Sequence, residues 1–138
     1  MADQKKARIL IVEDERHIAR FLEFVLQKEG FAVDVALDGR VAENKIRAES
    51  YAAILLDLGL PDLSGMELLA LIRSHPSEPR PVVVVLTAKS SGDVLHQVLE
   101  AGADAYCPKP VAPSTLLKKL RELNVNREVS SGEQASSQ

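Results

Sequence analysis

The chain has 138 residues, 46% of them apolar, and a net charge of −3, enough to bury one sizeable core with little left for a second domain. Aromatic residues make up 4% with no tryptophan, and lysine and arginine are dispersed, which argues against a nucleic-acid surface built on base stacking or a basic patch. A single cysteine excludes an internal disulfide, and the apolar run in MADQKKARILIVEDE is too short for a signal peptide or a membrane span, so a cytoplasmic protein is expected.

In chain order, residues 1–7 read as an N-terminal extension, and RILIV at 8–12 is aliphatic without alternation, the pattern of a strand buried on both faces. A helical pattern follows at 15–29. Ile18, Leu22, Val25 and Leu26 form its core stripe, widened by Phe21 and Phe24, and Arg16, Arg20, Glu23 and Gln27 form its polar face. Phe31 to Ala36 reads as a strand, 39–49 as a helix, AILL at 53–56 as a buried strand and 64–75 as a helix. VVVVL at 82–86 is another buried strand, then come a helix at 91–101, a strand from Ala103 to Cys107 and a helix at 112–123.

The punctuation agrees: Ser64 with Glu67 and Ser90 with Asp93 have capping-box spacing, and Gly30 and Gly102 stand where helix C-caps need positive φ. From Asn124 the apolar pattern stops, so 124–138 reads as a flexible tail or the start of a linker, and 8–123 as one domain. Five β-α units joined by right-handed crossovers predict an α/β fold, a doubly wound parallel sheet with helices on both faces.

Polar residues interrupt this pattern at the C-terminal ends of four strands: Glu13 and Asp14, Asp57, Thr87 and Lys109. In an open α/β sheet the ligand crevice lies outside those ends, where strand order reverses. Three carboxylates gathered there repel one another unless a cation compensates, and hard oxygen ligands of this kind select Mg²⁺, with Gly59 placed to offer a backbone carbonyl. The metal and Lys109 would neutralise phosphoryl oxygens, Thr87 would donate a hydrogen bond, and Asp57 between them is the natural nucleophile for phosphoryl transfer.

ILIVEDE, LLDLGLPDLSGMEL, VVVLTA and GADAYCPKP together resemble the response-regulator receiver family, from about Arg8 to Leu123. The resemblance implies a flavodoxin-like five-stranded sheet of order 2-1-3-4-5. It implies that Asp57 takes a phosphoryl group from a histidine kinase or phosphotransfer protein, with Glu13, Asp14, Asp57 and the Gly59 carbonyl on Mg²⁺. Lys109, Thr87 and the Ala88 backbone would stabilise the phosphoryl group. Thr87 and Tyr106 would be the switch pair, moving a face made by the fourth helix, fifth strand and fifth helix through which the chain also dimerises or meets its downstream target. The Lys109-Pro110 bond is expected to be cis, and Ile18 and Phe21 are candidates for docking a kinase. No direct nucleic-acid or membrane partner is implied, and no enzymatic turnover beyond the domain's own phosphorylation and dephosphorylation.

Two positions depart from the family pattern: Gly59 stands where bulkier residues are common, leaving space beside Asp57, and Cys107 stands where leucine is frequent. Taken singly, Asp57 and Thr87 read as cap or loop residues, Lys109 as a solvated loop residue and Tyr106 as a static strand aromatic; their shared position raises them. Packing of Phe21 and Ile18 on neighbouring helices weighs equally with docking. His17, His75 and His96 lack metal-ligand spacing, and Cys107 reads as a packed thiol. Competing functions are the receiver portion of a longer multidomain regulator, a phosphatase working through an aspartyl phosphate, and a flavin-binding electron carrier. The acidic EDERH turn offers no cradle for an anionic cofactor, and Leu58 and Gly59 supply no partner acid for a phosphatase.

Overall fold

A computed structural model describes residues 6–60, 62, 64–76, 80–88 and 92–127. Ten elements alternate: β1 (Arg8–Val12), α1 (Arg16–Lys28), β2 (Ala32–Ala36), α2 (Gly39–Ala48), β3 (Ala53–Asp57), α3 (Gly65–Ser74), β4 (Val82–Thr87), α4 (Gly92–Glu100), β5 (Ala105–Pro108) and α5 (Pro113–Glu122). The strands form one sheet in the order β2-β1-β3-β4-β5, and every pairing is parallel.

Alternate residues of the central strands feed two separate cores, because successive side chains of a strand point to opposite faces. Ile9, Ile11, Leu55, Val84 and Leu86 meet Ala19, Leu22 and Leu26 of α1 and Leu116 and Leu120 of α5. On the other face, Leu10, Val12, Ile54, Leu56, Val83 and Val85 meet Ala42 and Ile46 of α2, Leu68, Leu69 and Ile72 of α3, and Val98 of α4. Both faces being covered explains why these strands are aliphatic without alternation.

Local signals act as read. Ser64 accepts from the Glu67 amide and the Glu67 side chain accepts from the Ser64 amide, closing a capping box at α3, while Gly30 and Gly102 have φ of 103° and 112°. Ser90 lies outside the described residues.

The first helix differs from expectation: Phe21 and Phe24 do not widen its core stripe but stand 47% and 61% exposed, and Ala19 takes the place against the sheet. Phe24 instead lies under the Lys28 ammonium, 5.7 Å from its ring centre. Residues 124–127, read from sequence as the start of a tail, are held to the domain. Val125 joins the core and the Arg127 carbonyl accepts the Ala7 amide at 2.7 Å. One apolar residue after a helix turn is too little pattern to reveal such packing from sequence.

At the edge of the molecule opposite the strands' carboxyl ends, Arg73 ties α3 to the starts of β4 and β5. Its guanidinium donates to the Gly102 carbonyl (2.8 Å), the Pro81 carbonyl (2.9 Å) and Asp104 (2.8 Å), while Asp104 also accepts the Val83 amide.

Candidate functional site

Parallel register aligns the strand ends that carry the site. Val12 lies beside Leu56, Asp57 beside Leu86 and Thr87 beside Pro108, so the polar residue at or just past each end falls along one rim. Backbone bonds extend the ladder there: Glu13 N–H to the Ala36 carbonyl, Leu58 N–H to Leu86 and Lys109 N–H to Thr87. Among the described residues, the buried polar or charged side chains are Glu13, Asp57 and Thr87, and all three stand on this rim. Burying polar groups is costly, so their concentration marks the place where local folding rules yield to chemistry.

Lys109 reaches back across the rim. Its ammonium lies 2.8 Å from Glu13 Oε1 and 3.2 Å from Asp57 Oδ1. The contact with Oε1 is within ion-pair distance but off the direction of a hydrogen bond, so this buried oxygen has charge compensation without a well-directed donor. The other Glu13 oxygen accepts the Glu15 amide at 3.1 Å, and Asp57 Oδ1 accepts the Gly59 amide at 3.2 Å.

Burial pushes the Glu13 carboxyl above its ordinary range, with Lys109 and the Glu15 amide pulling the other way. For Lys109, burial works to lower its pKa but Glu13 and Asp57 outweigh it, so the net direction is upward and the ammonium stays charged at neutral pH.

Glu13, Asp14 and Asp57 place one carboxylate oxygen each within 4.8 Å of one another. The sequence reads Glu13 and Asp14 as a pair, but the first is buried against the sheet and the second exposed at its edge. Three carboxylates against one ammonium leave a net deficit of two positive charges, and the oxygen-only donor set suits a small hard divalent cation. These residues fit Mg²⁺.

Beside Asp57 a cleft of about 310 Å³ opens between α3 and α4. Gly59, Thr87, Ala88 and Lys109 edge it on the site's side, and Leu58, Met66, Val94, Gln97 and Val98 line it beyond. A methyl group on Gly59 would meet nothing within 4 Å, so the space read from sequence at this position is open.

Two residues that follow β3 were not singled out from sequence. Gly65 opens α3 so closely against the strand end that a Cβ there would stand 2.6 Å from Leu58 Cα and 3.0 Å from the Asp57 carbonyl. Asp62 accepts the Gly39 and Arg40 amides at 2.8 and 3.1 Å, and those backbone bonds hold its carboxyl below the usual range. Together with Asp38, which accepts the Val41 amide, it caps α2 and ties the Gly59 loop to that helix. Seryl-glycine before a helical run hints at Gly65. Nothing local points to Asp62, whose partners lie 22 and 23 residues away.

Of the remaining candidates, Tyr106 is half-buried against the second core with Lys119 5.9 Å from its ring centre, and Ile18 is half-buried against the first core while Phe21 is exposed. The Lys109-Pro110 peptide bond is cis. Cys107 is buried, and burial pushes its thiol up, away from thiolate chemistry. His17 and His96 are exposed and His75 is half-buried, apart from the rim.

Residues 9–121 match the response regulator receiver domain family. The response regulator ArlR of Staphylococcus saprophyticus is 40% identical over 118 residues, covering 84% of this chain and 51% of that protein; the chain thus spans about half the length of the curated relatives it matches. A response regulator receiver domain protein from Methanospirillum hungatei superposes with a TM-score of 0.78 at 36% identity, covering 86% of this chain and 94% of its own. The receiver domain of the sensor histidine kinase PA1611 from Pseudomonas aeruginosa gives 0.78 at 30% identity, covering 86% and 97%, and was solved with a magnesium ion coordinated in its active site cleft. No described helix is long and apolar enough to cross a membrane. The fold, the strand-end cluster of buried acids and lysine, and these matches together make the chain a member of the response regulator receiver domain family, the phosphoacceptor domains of two-component signalling.

Proposed function

We propose that Asp57 is the phosphoacceptor, that Glu13, Asp14, Asp57 and the Gly59 carbonyl hold Mg²⁺, and that the donor is a histidine kinase or phosphotransfer protein. The observation that carries this is the convergence of Lys109 on buried Glu13 and Asp57 at ion-pair distance, with Asp14 completing an acidic cluster. Asp57 Oδ attacks phosphorus in line with the departing imidazole nitrogen. Lys109 then pairs with an equatorial oxygen, and the Thr87 hydroxyl and Ala88 amide donate to the others. Mg²⁺ held by Glu13, Asp14, Asp57 and the Gly59 carbonyl would supply positive charge to offset the negative charge of the phosphoryl oxygens. Gly65 and Asp62 are positioning residues that fix the loop presenting Gly59.

Phosphorylation shifts the domain between two states through Thr87 and Tyr106. The hydroxyl moves toward the phosphoryl group and the ring follows inward, remodelling the surface of α4, β5 and α5. That surface is where a second copy or a downstream target would bind, and Ile18 with exposed Phe21 forms a docking patch for the donor. The setting is the cytoplasm. Coverage of about half of ArlR favours one extension of this reading, in which the domain serves as the receiver portion of a longer regulator whose output lies in another domain.

Intact-protein mass after incubation with acetyl phosphate tests the chemistry. One added phosphoryl group that requires both Mg²⁺ and Asp57 is expected. A gain that persists in Asp57→Asn, or without a divalent cation, would overturn the assignment.

A further inference from the structure

The open edge of the sheet at β5 carries a charge that the strand-end site does not use. β5 pairs with β4 alone, and its side chains alternate, so Cys107 joins the first core while Tyr106 packs half-buried against the second core on the opposite face. Lys119 belongs to α5, whose Leu116 and Leu120 are buried in the first core. Its ammonium nevertheless stands 5.9 Å from the centre of the Tyr106 ring, within the range of about 6 Å over which a cation is attracted to an aromatic face. A side chain of α5 reaches that ring only by passing round the edge of β5. The same charge works against the burial that pushes the Cys107 thiol up, as a cation at this strand would. Among the described residues Lys119 makes no ion pair.

This contact favours one position of the ring over another. Lys119 meets the ring at the sheet edge. A ring turned inward, toward Thr87, leaves that edge, and the ammonium could follow only by losing its hydration, a cost far larger than the attraction of a cation to a ring. We propose that Lys119 is a positioning residue for the switch: its ammonium holds the Tyr106 ring at the sheet edge and so sets how readily the ring turns inward. The proposal rests on Asp57 being the phosphoacceptor and Tyr106 the switch aromatic. A contact of this kind near the surface favours the edge position by roughly two- to fivefold. A ligand that binds only the inward form has its affinity reduced in proportion to the fraction of molecules in that form, so the charge on Lys119 should be readable at the phosphoryl site.

The test is the dissociation constant of beryllofluoride, a stable mimic of a phosphoryl group on a carboxylate, at saturating Mg²⁺ for the wild type, Lys119→Met and Lys119→Arg. Methionine keeps the apolar stem without the charge, and arginine keeps the cation. A ring-fluorinated tyrosine at Tyr51 and Tyr106 reports the ring by its fluorine resonance, with Tyr51→Phe to assign the two signals. Lys119→Met should bind roughly two- to fivefold more tightly, and its Tyr106 resonance without the analogue should lie nearer the bound position. Lys119→Arg should match the wild type or bind more weakly. In a Tyr106→Leu background, which has no aromatic face, the difference between lysine and methionine should vanish. A stem that merely packs would change the unfolding midpoint and leave these constants equal. Binding by Lys119→Met that is equal to or weaker than the wild type's, arginine behaving as methionine does, or a difference that survives in Tyr106→Leu would overturn the proposal. A wild-type Tyr106 resonance unmoved by saturating beryllofluoride would instead sink the switch role of Tyr106, and no binding at all the assignment of Asp57, either one taking the proposal with it.

Discussion

Replacing Lys109 with methionine removes, among the described residues, the cation that faces Glu13 and Asp57 at 2.8 and 3.2 Å. At an effective dielectric constant of about 20, each contact is worth roughly 5 kcal/mol of Coulomb attraction. Desolvating the ammonium offsets much of that, and breaking a buried pair typically costs about 3–5 kcal/mol. The lysine side chain keeps 17% of its exposure, which moves the expected cost to the low end, about 3 kcal/mol, or roughly 10 °C in Tm for a domain of this size. Thermal unfolding by circular dichroism at pH 7 without divalent cations reads this loss. The pH dependence gives it a signature. Glu13 titrates above its ordinary value of 4.5 in the fold because it is buried, so its protonated form favours folding. That contribution is complete below 4.5 and is lost as pH rises through the higher folded value. Without Lys109 the folded value rises further, so acidification from pH 7 toward 4.5 should recover more stability in the variant than in the wild type, and Mg²⁺ at pH 7 should do the same. A deficit below about 0.5 kcal/mol, the range of ordinary surface changes, or one that is the same at both pH values, would refute the charge-compensation argument.

Arg73→Ala strips donors from the Gly102 and Pro81 carbonyls and from Asp104, and urea unfolding should show a loss of about 2–3 kcal/mol; a change within error would mean water replaces the guanidinium. Tyr51→Phe deletes a 2.7 Å bond to Asp34, at a cost of about 1 kcal/mol. Burial and that bond raise the Tyr51 pKa above 10.0, so the wild-type advantage should be full below pH 10 and vanish as pH climbs further. Unfolding curves of the two proteins that fail to converge at alkaline pH would count against it. Gly59→Met places a side chain where nothing stands within 4 Å and should slow autodephosphorylation by obstructing water, an effect read from decay of the phosphorylated mass; equal rates would dispose of it.

The sequence carries this fold so legibly because its strands are unusually uniform. RILIV, AILL and VVVVL have no reading but burial on both faces, and once three such strands alternate with helices the sheet is parallel. The rim was legible for the complementary reason, that a charged residue ending an aliphatic run contradicts the run. What escaped depends on neighbours distant in the chain. Phe21 and Phe24 look like core residues by hydrophobicity, yet the helix turns so that Ala19, Leu22 and Leu26 face the sheet, and the large rings at the margin of that stripe are left exposed. Asp62 is an unremarked loop acid until α2 is placed, and Val125 is one apolar residue in a polar stretch until the first core shows its gap.

The same rim shows why stability and signalling draw on one set of charges. A sheet that packs apolar helices on both faces gives the site almost no dielectric protection to spare. Glu13 sits at 0% exposure with Asp57 beside it, and one lysine offsets both without neutralising the acidic cluster. The domain alone is therefore held short of its electrostatic optimum, by an amount that a divalent cation on the carboxylates can reduce. A phosphoryl group added at Asp57 brings new negative charge into the reach of Lys109, drawing that ammonium away from Glu13 unless the metal covers the difference. If Asp57 is the phosphoacceptor, Glu13 and the phosphoryl oxygens would compete for Lys109, and the site would have two arrangements that phosphorylation shifts between. Glu13→Gln should relieve that competition, and would be expected to lengthen the lifetime of the phosphorylated form when Mg²⁺ is saturating, because Lys109 would then remain on the phosphoryl group. A lifetime equal to or shorter than the wild type's, at the same metal occupancy, would show that Glu13 does not hold the lysine in reserve.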